Sequence, residues 1–364
     1  MRLDVKNLPT VSATKKHEAG LEDLLLWRYG GYLSKRILFP VIVLLMASGI
    51  ASAQQAADPK YKPPLPRPAY ESGKGPRVAI DEAHYNFHTA EERYKPFAEF
   101  LRRDGYPVNG LRQPFSAESL KDVDVLVISN ALHKSNEESW APPNPSAFTK
   151  DEIAALHRWV EKGGSLFLIA DHAPFAGAAS ELGKAFGVEF GNGRAMAGHW
   201  KSPNSEETFE RGTGLKECTI TRGRADKEKV TKVATFTGSA FKPPKGATPV
   251  LVFGAKSELF ERKAKGEGGF EVQTIPIEGW CQGAVLKVGK GRVAVFGEAA
   301  MFSAQLTRGL LWSCQIELGE GTMFRAQLVG LKRPMGMNAP EAKQNHQLLL
   351  NVMHWLSRVK GMAD

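Results

Sequence analysis

Charged, amide and imidazole side chains follow the apolar segments of this 364-residue chain, where strands are predicted to end. Asp81, Glu82, His84, Asn86, Phe87 and His88 follow residues 77–80; Asn130 follows 124–129; Asp171, His172 and Phe175 follow 165–170; Glu298 and Gln305 follow 292–297. Because the carboxyl ends of parallel strands meet at one edge of a sheet, these groups are expected to converge. Carboxylates beside imidazoles are typical of acid–base or metal sites.

One hypothesis for this edge is a metal-dependent hydrolase. Imidazole and carboxylate ligands suit a divalent metal such as zinc, and a second carboxylate would act as general base for a metal-bound water. The predicted ligands are His84, His88, His172 and Asp81, and the predicted catalytic carboxylates are Glu82, Glu298 and Asp171. His84 and His88 have the His-x-x-x-His spacing but lack the adjacent Glu that marks a zinc-protease helix.

The second hypothesis is a metal-free site that binds a polyol such as a sugar. The protein would then be either a sugar-processing enzyme or a non-catalytic module that binds a carbohydrate or an envelope component. Amide groups would form hydrogen bonds with hydroxyls, and aromatic rings would stack on the sugar ring. The predicted ligand-binding residues are Asn86, Phe87, Asn130, Phe175, His199, Trp200, Gln305 and Asn345. For each residue alone the alternative is structural, because an Asp after a buried strand often caps a helix or ties a loop.

The elements that must hold these residues alternate along the chain. Apolar runs predict strands at 77–80, 106–108, 124–129, 165–170 and 187–190, and a hairpin of 283–288 with 292–297; helical spacing is found at 91–103, 149–160, 176–186 and 342–359. Thr149 and Glu152 form a predicted capping box. Strand–helix alternation predicts an α/β domain with a mostly parallel central sheet. Residues 190–280 are predicted to form an irregular β-rich insertion.

The N-terminal region has the pattern of an export signal. Lys35 and Arg36 precede an apolar run at 37–47, and Ala51-Ser52-Ala53 matches a cleavage site. The predicted location is therefore periplasmic or secreted; the alternative is an inner-membrane anchor formed by residues 37–50 beneath the polar lead 1–34. Residues 1–53 are thus signal or anchor, 54–76 a Pro-rich linker, and 77–359 a single domain.

The composition narrows the class of partner. The formal net charge is +9, but no Lys/Arg cluster is interleaved with aromatic residues, so nucleic-acid binding is not expected. The three cysteines, Cys218, Cys281 and Cys314, form no CxxC pair. No nucleophile-elbow, phosphate-loop or dinucleotide motif is present. The expected partner is a small molecule or glycan, with membrane contact only through an uncleaved N-terminal segment.

Four segments resemble a group of exported bacterial proteins in the class I glutamine amidotransferase-like superfamily, related to gliding-motility, intraflagellar-transport and, more distantly, trehalose-utilisation proteins. The segments are 78–81 with its His-rich turn, 168–172, 291–297, and Asn345, Asn351 and Trp355-Leu356 of the last helix. The resemblance covers about residues 77–358 and implies a flavodoxin-like three-layer sandwich. True amidotransferases place a nucleophilic Cys after a central strand, whereas Asn130 and Asp171-His172 occupy those turns here. The resemblance therefore does not imply a Cys-triad amidotransferase.

Overall fold

The computed structural model describes residues 55–198, 207–265, 269–310 and 330–362. The chain divides into two units, Met1–Ala53 and Gln54–Asp364, and the predicted export segment lies outside the described residues. Within the described ranges, no helix has both the length and the apolar character needed to cross a bilayer.

The described residues form seventeen strands and five α-helices. The strands are β1 (Gln55–Ala57), β2 (Val78–Asp81), β3 (Val108–Leu111), β4 (Val125–Ser129), β5 (Ser165–Ile169), β6 (Glu189–Phe190), β7 (Gly193–Met196), β8 (Glu207–Glu210), β9 (Lys232–Thr235), β10 (Phe241–Lys242), β11 (Thr248–Val252), β12 (Glu258–Lys265), β13 (Gly269–Pro276), β14 (Cys281–Val288), β15 (Gly291–Phe296), β16 (Ala304–Leu310) and β17 (Gly330–Gly336). The helices are α1 (Lys95–Arg103), α2 (Lys150–Glu161), α3 (Phe175–Ala185), α4 (Thr219–Arg222) and α5 (Asn345–Leu356).

A large mixed sheet forms the centre of the molecule, in the order β3-β2-β4-β5-β15-β14-β10-β6, with β11 also paired to β14. The first five of these strands are parallel, and β14, β11, β10 and β6 extend the sheet antiparallel. The protein is therefore mixed α/β with a large, mostly parallel sheet and further antiparallel sheets. β14 and β15 form the hairpin predicted from the Gly289–Gly291 turn.

Alternate residues of the central strands pack into two separate cores, one on each face of the sheet. Val125, Val127, Phe167 and Ile169 face a core that includes residues of α1 and α5. Leu126, Ile128, Leu166 and Leu168 face a core that includes residues of α2 and α3. The sheet is thus covered on both sides, which explains why β4 and β5 are continuous apolar runs rather than alternating ones.

Three smaller antiparallel sheets surround the central one, in the orders β1-β16-β17, β13-β12-β7 and β8-β9. Most of these strands belong to residues 190–280, which the sequence predicted to be rich in β-structure. β12, β16 and β17 were not predicted, because their polar and basic sequences lack apolar alternation. Helix α1 begins at Lys95 rather than Glu91, with Pro96 in its first turn.

The segment predicted as a linker lies along the domain; we call residues 55–76 the N-terminal strap. Its first residues form β1, which pairs with β16, and Tyr61, Leu65 and Tyr70 pack against the core. The backbone N–H of Ala69 donates to Asp104 Oδ1 over 2.7 Å. The segment is therefore extended and packed against the domain, because its backbone and its few large side chains have partners there.

Candidate functional site

His84 lies between two carboxylates rather than at an open ligand position. Its Nδ1 is 2.9 Å from both carboxylate oxygens of Asp81, and its Nε2 is 2.8 Å from Oε1 of Glu152. Phe115 and Phe148 pack against its ring with centroid distances of 4.6 and 4.7 Å. The residue therefore joins the end of β2 to the start of α2 in a buried, closed arrangement.

The charges around His84 fix its protonation state. Burial lowers the pKa of His84, but the hydrogen bonds and charges of Asp81 and Glu152 outweigh this, and the net pKa is raised. Burial likewise raises the pKa of Glu152, whereas bonds from Thr149 and His84 bring it below the usual range. An imidazolium with both nitrogens engaged has no lone pair for a metal. His84 and Asp81 are thus brought together as predicted, but as partners of each other.

His88 is also held by neighbouring side chains. Its Nδ1 is 3.3 Å from Ser129 Oγ, and its Nε2 is 3.5 Å from the amide nitrogen of Gln305. Burial, with the charge of Arg93, lowers the pKa of His88 to about 3, so the ring is neutral. Across the described residues, no three His, Cys, Asp or Glu side chains are grouped so that they could hold a metal ion. The predicted ligands are not grouped there: His84 and Asp81 bond to each other, whereas His88 and His172 bond to other protein groups.

Three buried carboxyl groups interact electrostatically, and we call them the acid cluster: Asp171 after β5, Glu298 after β15 and Glu207 at the start of β8. Asp171 accepts bonds from the backbone N–H of His172 and Ala299. Glu298 accepts from the N–H groups of Phe236, Thr237 and Ala300, and Glu207 from that of Ala197. The cluster therefore ties together the loops that surround the edge.

Burial raises the pKa values of all three carboxyl groups in the acid cluster. It raises the pKa of Asp171 to about 6 and that of Glu298 to about 7, the latter with a further contribution from the charge of Asp171. It also raises the pKa of Glu207 to about 7, with the charge of Glu298 acting in the same direction. Arg194 on β7 lies near enough to oppose the shifts of Asp171 and Glu207. Carboxyl groups with such values hold or release protons near neutral pH.

His172 is partly exposed above the acid cluster. Its Nδ1 is 2.7 Å from the carbonyl oxygen of Ala173, which requires a proton on Nδ1. Burial lowers the pKa of His172, so the neutral tautomer with a lone pair on Nε2 dominates at pH 7. Within the described part of the chain, no group forms a hydrogen bond with this Nε2. The nitrogen is therefore a candidate acceptor or base for a bound molecule.

Three aromatic rings beside His172, which we call the aromatic wall, line the same edge: Phe87, Trp140 and Phe175. Trp140 stands 5.7 Å from Phe87, 5.1 Å from Phe175 and 6.0 Å from His172 between ring centroids. Phe175 is buried, but 40% of Trp140 is exposed. The wall thus presents one open aromatic surface backed by two packed rings, a common feature of ligand sites.

The order of the parallel strands reverses between β2 and β4, and ligands in open α/β sheets bind in the crevice beyond such a point. Asn130 follows β4 with φ of 50°, and its Oδ1 accepts the N–H of Asp171 over 2.9 Å. Asn130 and Asp171-His172 follow the strands β4 and β5, and neither turn contains a Cys. Cys218 and Cys281 are buried elsewhere, and Cys314 lies outside the described residues.

The other predicted site residues form bonds within the protein or lie outside the described ranges. Glu82 bonds Arg112 and the N–H of Ala90, and Asn345 bonds the backbone of Ala234 and Met301. Asn86 braces the loop by accepting the N–H of His84 and donating to Asp81. His199 and Trp200 are outside the described residues.

The sequence interpretation missed Glu152, Glu207 and Trp140 as members of the site. Glu152 was recognised only as a capping-box residue, and it does fill that role, since it bonds the N–H and hydroxyl of Thr149. Trp140 lies in a polar, Pro-rich loop and Glu207 in the β-rich region. An isolated Trp in a polar loop after a predicted strand was the one available signal.

Comparison with known proteins relates this fold to several solved structures. The mmIFT52 N-terminal domain is 15% identical, with a TM-score of 0.51, over 77% of this chain and 97% of that one. A putative ThuA-like protein from Bacteroides uniformis is 13% identical, with a TM-score of 0.39, over 82% and 95%. The exo-β-1,4-mannosidase Op5Man5 from Opitutaceae bacterium strain TAV5 is 16% identical, with a TM-score of 0.33, over 62% of this chain and 31% of that one.

No protein-family model matches the chain, and no curated protein matches it. At this level of identity the first similarity shows a shared fold and not a shared activity. The ThuA-like protein and the mannosidase have TM-scores below 0.5, so neither bears on function. The evidence on function therefore comes from the side chains of this chain.

Proposed function

We propose that this protein binds a carbohydrate at the edge formed by the aromatic wall and His172. The observation that supports this most strongly is Trp140, which is 40% exposed while packed against two aromatic rings at the carboxyl edge of the parallel strands. Exposing a large aromatic ring is costly in water. A rigid, exposed indole beside an unbonded imidazole nitrogen suits a ligand that has both an apolar ring face and hydroxyl groups.

Hydrolysis of the bound sugar is the second candidate, and the state of His172 favours it. Its neutral ring has a lone pair on Nε2 and a fixed tautomer, the condition of a general base at pH 7. In such a reaction His172 would remove a proton from water as its oxygen bonds the anomeric carbon. The glycosidic bond would break, and the proton would pass to the leaving hydroxyl.

We also propose a fold family and a cellular location. The parallel strands, numbered by themselves, have the order 2-1-3-4-5, which supports a flavodoxin-like core within the class I glutamine amidotransferase-like superfamily. The absence of Cys from the turns after the described parallel strands argues for a role other than Cys-triad glutamine hydrolysis. We propose a periplasmic or secreted location from residues 35–53, where glycans are available ligands.

Titration calorimetry of the purified full chain with cellohexaose, chitohexaose and hexagalacturonate tests the binding proposal. We expect one of the three to bind, and Trp140→Ala to weaken that binding by about tenfold or more. Trp159→Ala is the matched control, because Trp159 packs on Gly164 at the opposite edge of the sheet. Failure of all three sugars to bind the wild type would contradict the proposal.

Product analysis with the same sugars separates the two candidates. If the protein hydrolyses the bound sugar, His172→Gln should abolish product formation while leaving affinity within about threefold. If the protein only binds, no product forms with the wild type, and binding alone depends on Trp140.

A further inference from the structure

The loop after β2 contains a second exposed aromatic side chain. Tyr85 is 43% exposed, and its hydroxyl has no hydrogen-bond partner within the described ranges. Among the residues whose side-chain exposure is described, three large hydrophobic side chains are exposed, namely Tyr85, Trp140 and Val272. Two of the three thus follow β2 and β4, the adjacent strands between which the strand order reverses.

The backbone of Tyr85 is strained. Its φ is 46°, in the left-handed region that bulky side chains rarely adopt. Asn or Gly would fit this position at lower cost. Such strain persists only where surrounding contacts over-determine the conformation, and it is found most often at ligand clamps and active sites.

The contacts that enforce this conformation surround Tyr85 on both sides. The N–H of His84 donates to Asn86 Oδ1 over 3.0 Å, and the carbonyl of His84 accepts the N–H of Leu132 over 2.8 Å. The N–H of Phe87 donates to the carbonyl of Asn130 over 3.0 Å. These bonds, with the His84 ring held between two carboxylates, join the β2 and β4 loops and hold Tyr85 toward solvent.

We infer that Tyr85 is a further ligand-binding residue, which together with Trp140 contacts a saccharide at the edge where the β2 and β4 loops meet. The inference rests on the proposed function and narrows its ligand class. A site with aromatic side chains on two separate loops suits a saccharide that extends over more than one ring, so an oligosaccharide should bind more tightly than its monosaccharide. This role explains why a strained Tyr occupies the position. Asn or Gly would fit the backbone at lower cost, but neither supplies an aromatic ring.

Tyr85→Asn separates a binding role from a structural one, because Asn tolerates the left-handed region while lacking the ring. The experiment measures affinity of the full chain for the hexasaccharide that binds the wild type, for its monosaccharide, and the melting temperature. We expect affinity for the hexasaccharide to fall by about tenfold with no fall in melting temperature. Lys256→Asn is the matched control: Lys256 also has a positive φ, 59°, in the turn before β12, and its substitution should leave affinity unaltered.

Each outcome decides one proposal. Unaltered affinity in Tyr85→Asn, with weakened affinity in Trp140→Ala, would overturn the inference and leave the proposed function standing. A melting temperature lowered by several degrees in Tyr85→Asn would show that the ring serves loop packing, and would also overturn it. If the wild type binds none of the three hexasaccharides, the proposed function and this inference both fall.

Discussion

The imidazole Nε2 of His84 lies 2.8 Å from Oε1 of Glu152, and this bond links two residues that are 68 positions apart in the chain. The loop after β2 and the first turn of α2 are thereby held together. Because Asp81 bonds the other nitrogen, the imidazolium balances two buried carboxylates. His84 therefore holds the β2 loop and α2 together and is not a reactive group of the site.

His84→Ala should therefore destabilise the fold strongly. It leaves Asp81 and the nearly buried Glu152 without their shared cation, and breaking a buried pair in this way costs about 3–5 kcal/mol. Urea denaturation at pH 6 would measure the free energy of unfolding. His157→Ala is the control, because His157 and Glu161 form a partly exposed pair on α2 that contributes no more than about 1 kcal/mol. Equal losses in the two variants would contradict the structural role of His84.

The acid cluster should make stability depend on pH through Glu298. Because burial raises its pKa from 4.5 to about 7, the folded state binds the proton more tightly than the unfolded state. Its contribution is thus most favourable below about pH 4.5 and is lost as the pH rises through 7. Glu298→Gln removes this titration, so the wild-type free energy of unfolding minus that of the variant should fall by about 3 kcal/mol between pH 4.5 and 8.

The difference between the two proteins reports the titration of Glu298 together with its electrostatic effect on Glu207, whose pKa the charge of Glu298 raises. Urea denaturation at half-unit pH steps supplies the two curves. The Gln variant will be less stable in absolute terms, since an amide cannot accept all three backbone bonds, but only the pH slope tests the prediction. A difference that stays flat across the range would show that Glu298 titrates normally.

The sequence predicted those features that depend on local pattern. The capping box of Thr149 and Glu152 is confirmed, and the β14–β15 hairpin follows from its turn glycines. The strands at 125–129 and 165–169 were visible because both of their faces are buried. Each of these signals lies within a few residues of the structure it specifies.

Features that depend on distant partners left no such signal. The capping box accounts for Glu152 without any reference to His84, and nothing in the sequence marks a contact across 68 residues. β17 is basic and, among the described strands, pairs with β16 alone, so it lacks the apolar period of a core strand. Likewise, the strap was expected to be a linker because its Pro content is high, yet its contacts with Asp104 and β16 were invisible.

The buried and the exposed aromatic side chains of the wall should lose different amounts of stability on truncation. Phe175 is 2% exposed and Trp140 is 40% exposed. Phe175→Ala should therefore cost about 3–5 kcal/mol of folding free energy, and Trp140→Ala no more than about 1 kcal/mol. Thermal and urea unfolding of both variants would check the order. A large loss in Trp140→Ala would mean that its ring is a packing element, which weakens its assignment as the ligand surface.

Asp104→Ala should release the N-terminal strap from the domain. The carboxylate of Asp104 accepts the N–H of Ala69 and lies 2.6 Å from Nε2 of His354 on α5. Its loss leaves the part-buried N–H of Ala69 and the buried His354 without this partner, and the buried one costs about 1–3 kcal/mol. Limited trypsin digestion with mass spectrometry should then show faster cleavage within residues 55–76. Glu118→Ala is the control, since Glu118 forms an exposed pair with Lys121 far from the strap in sequence. If both variants are cleaved there at the wild-type rate, Asp104 does not anchor the strap, and the pairing of β1 with β16 must be enough to hold it.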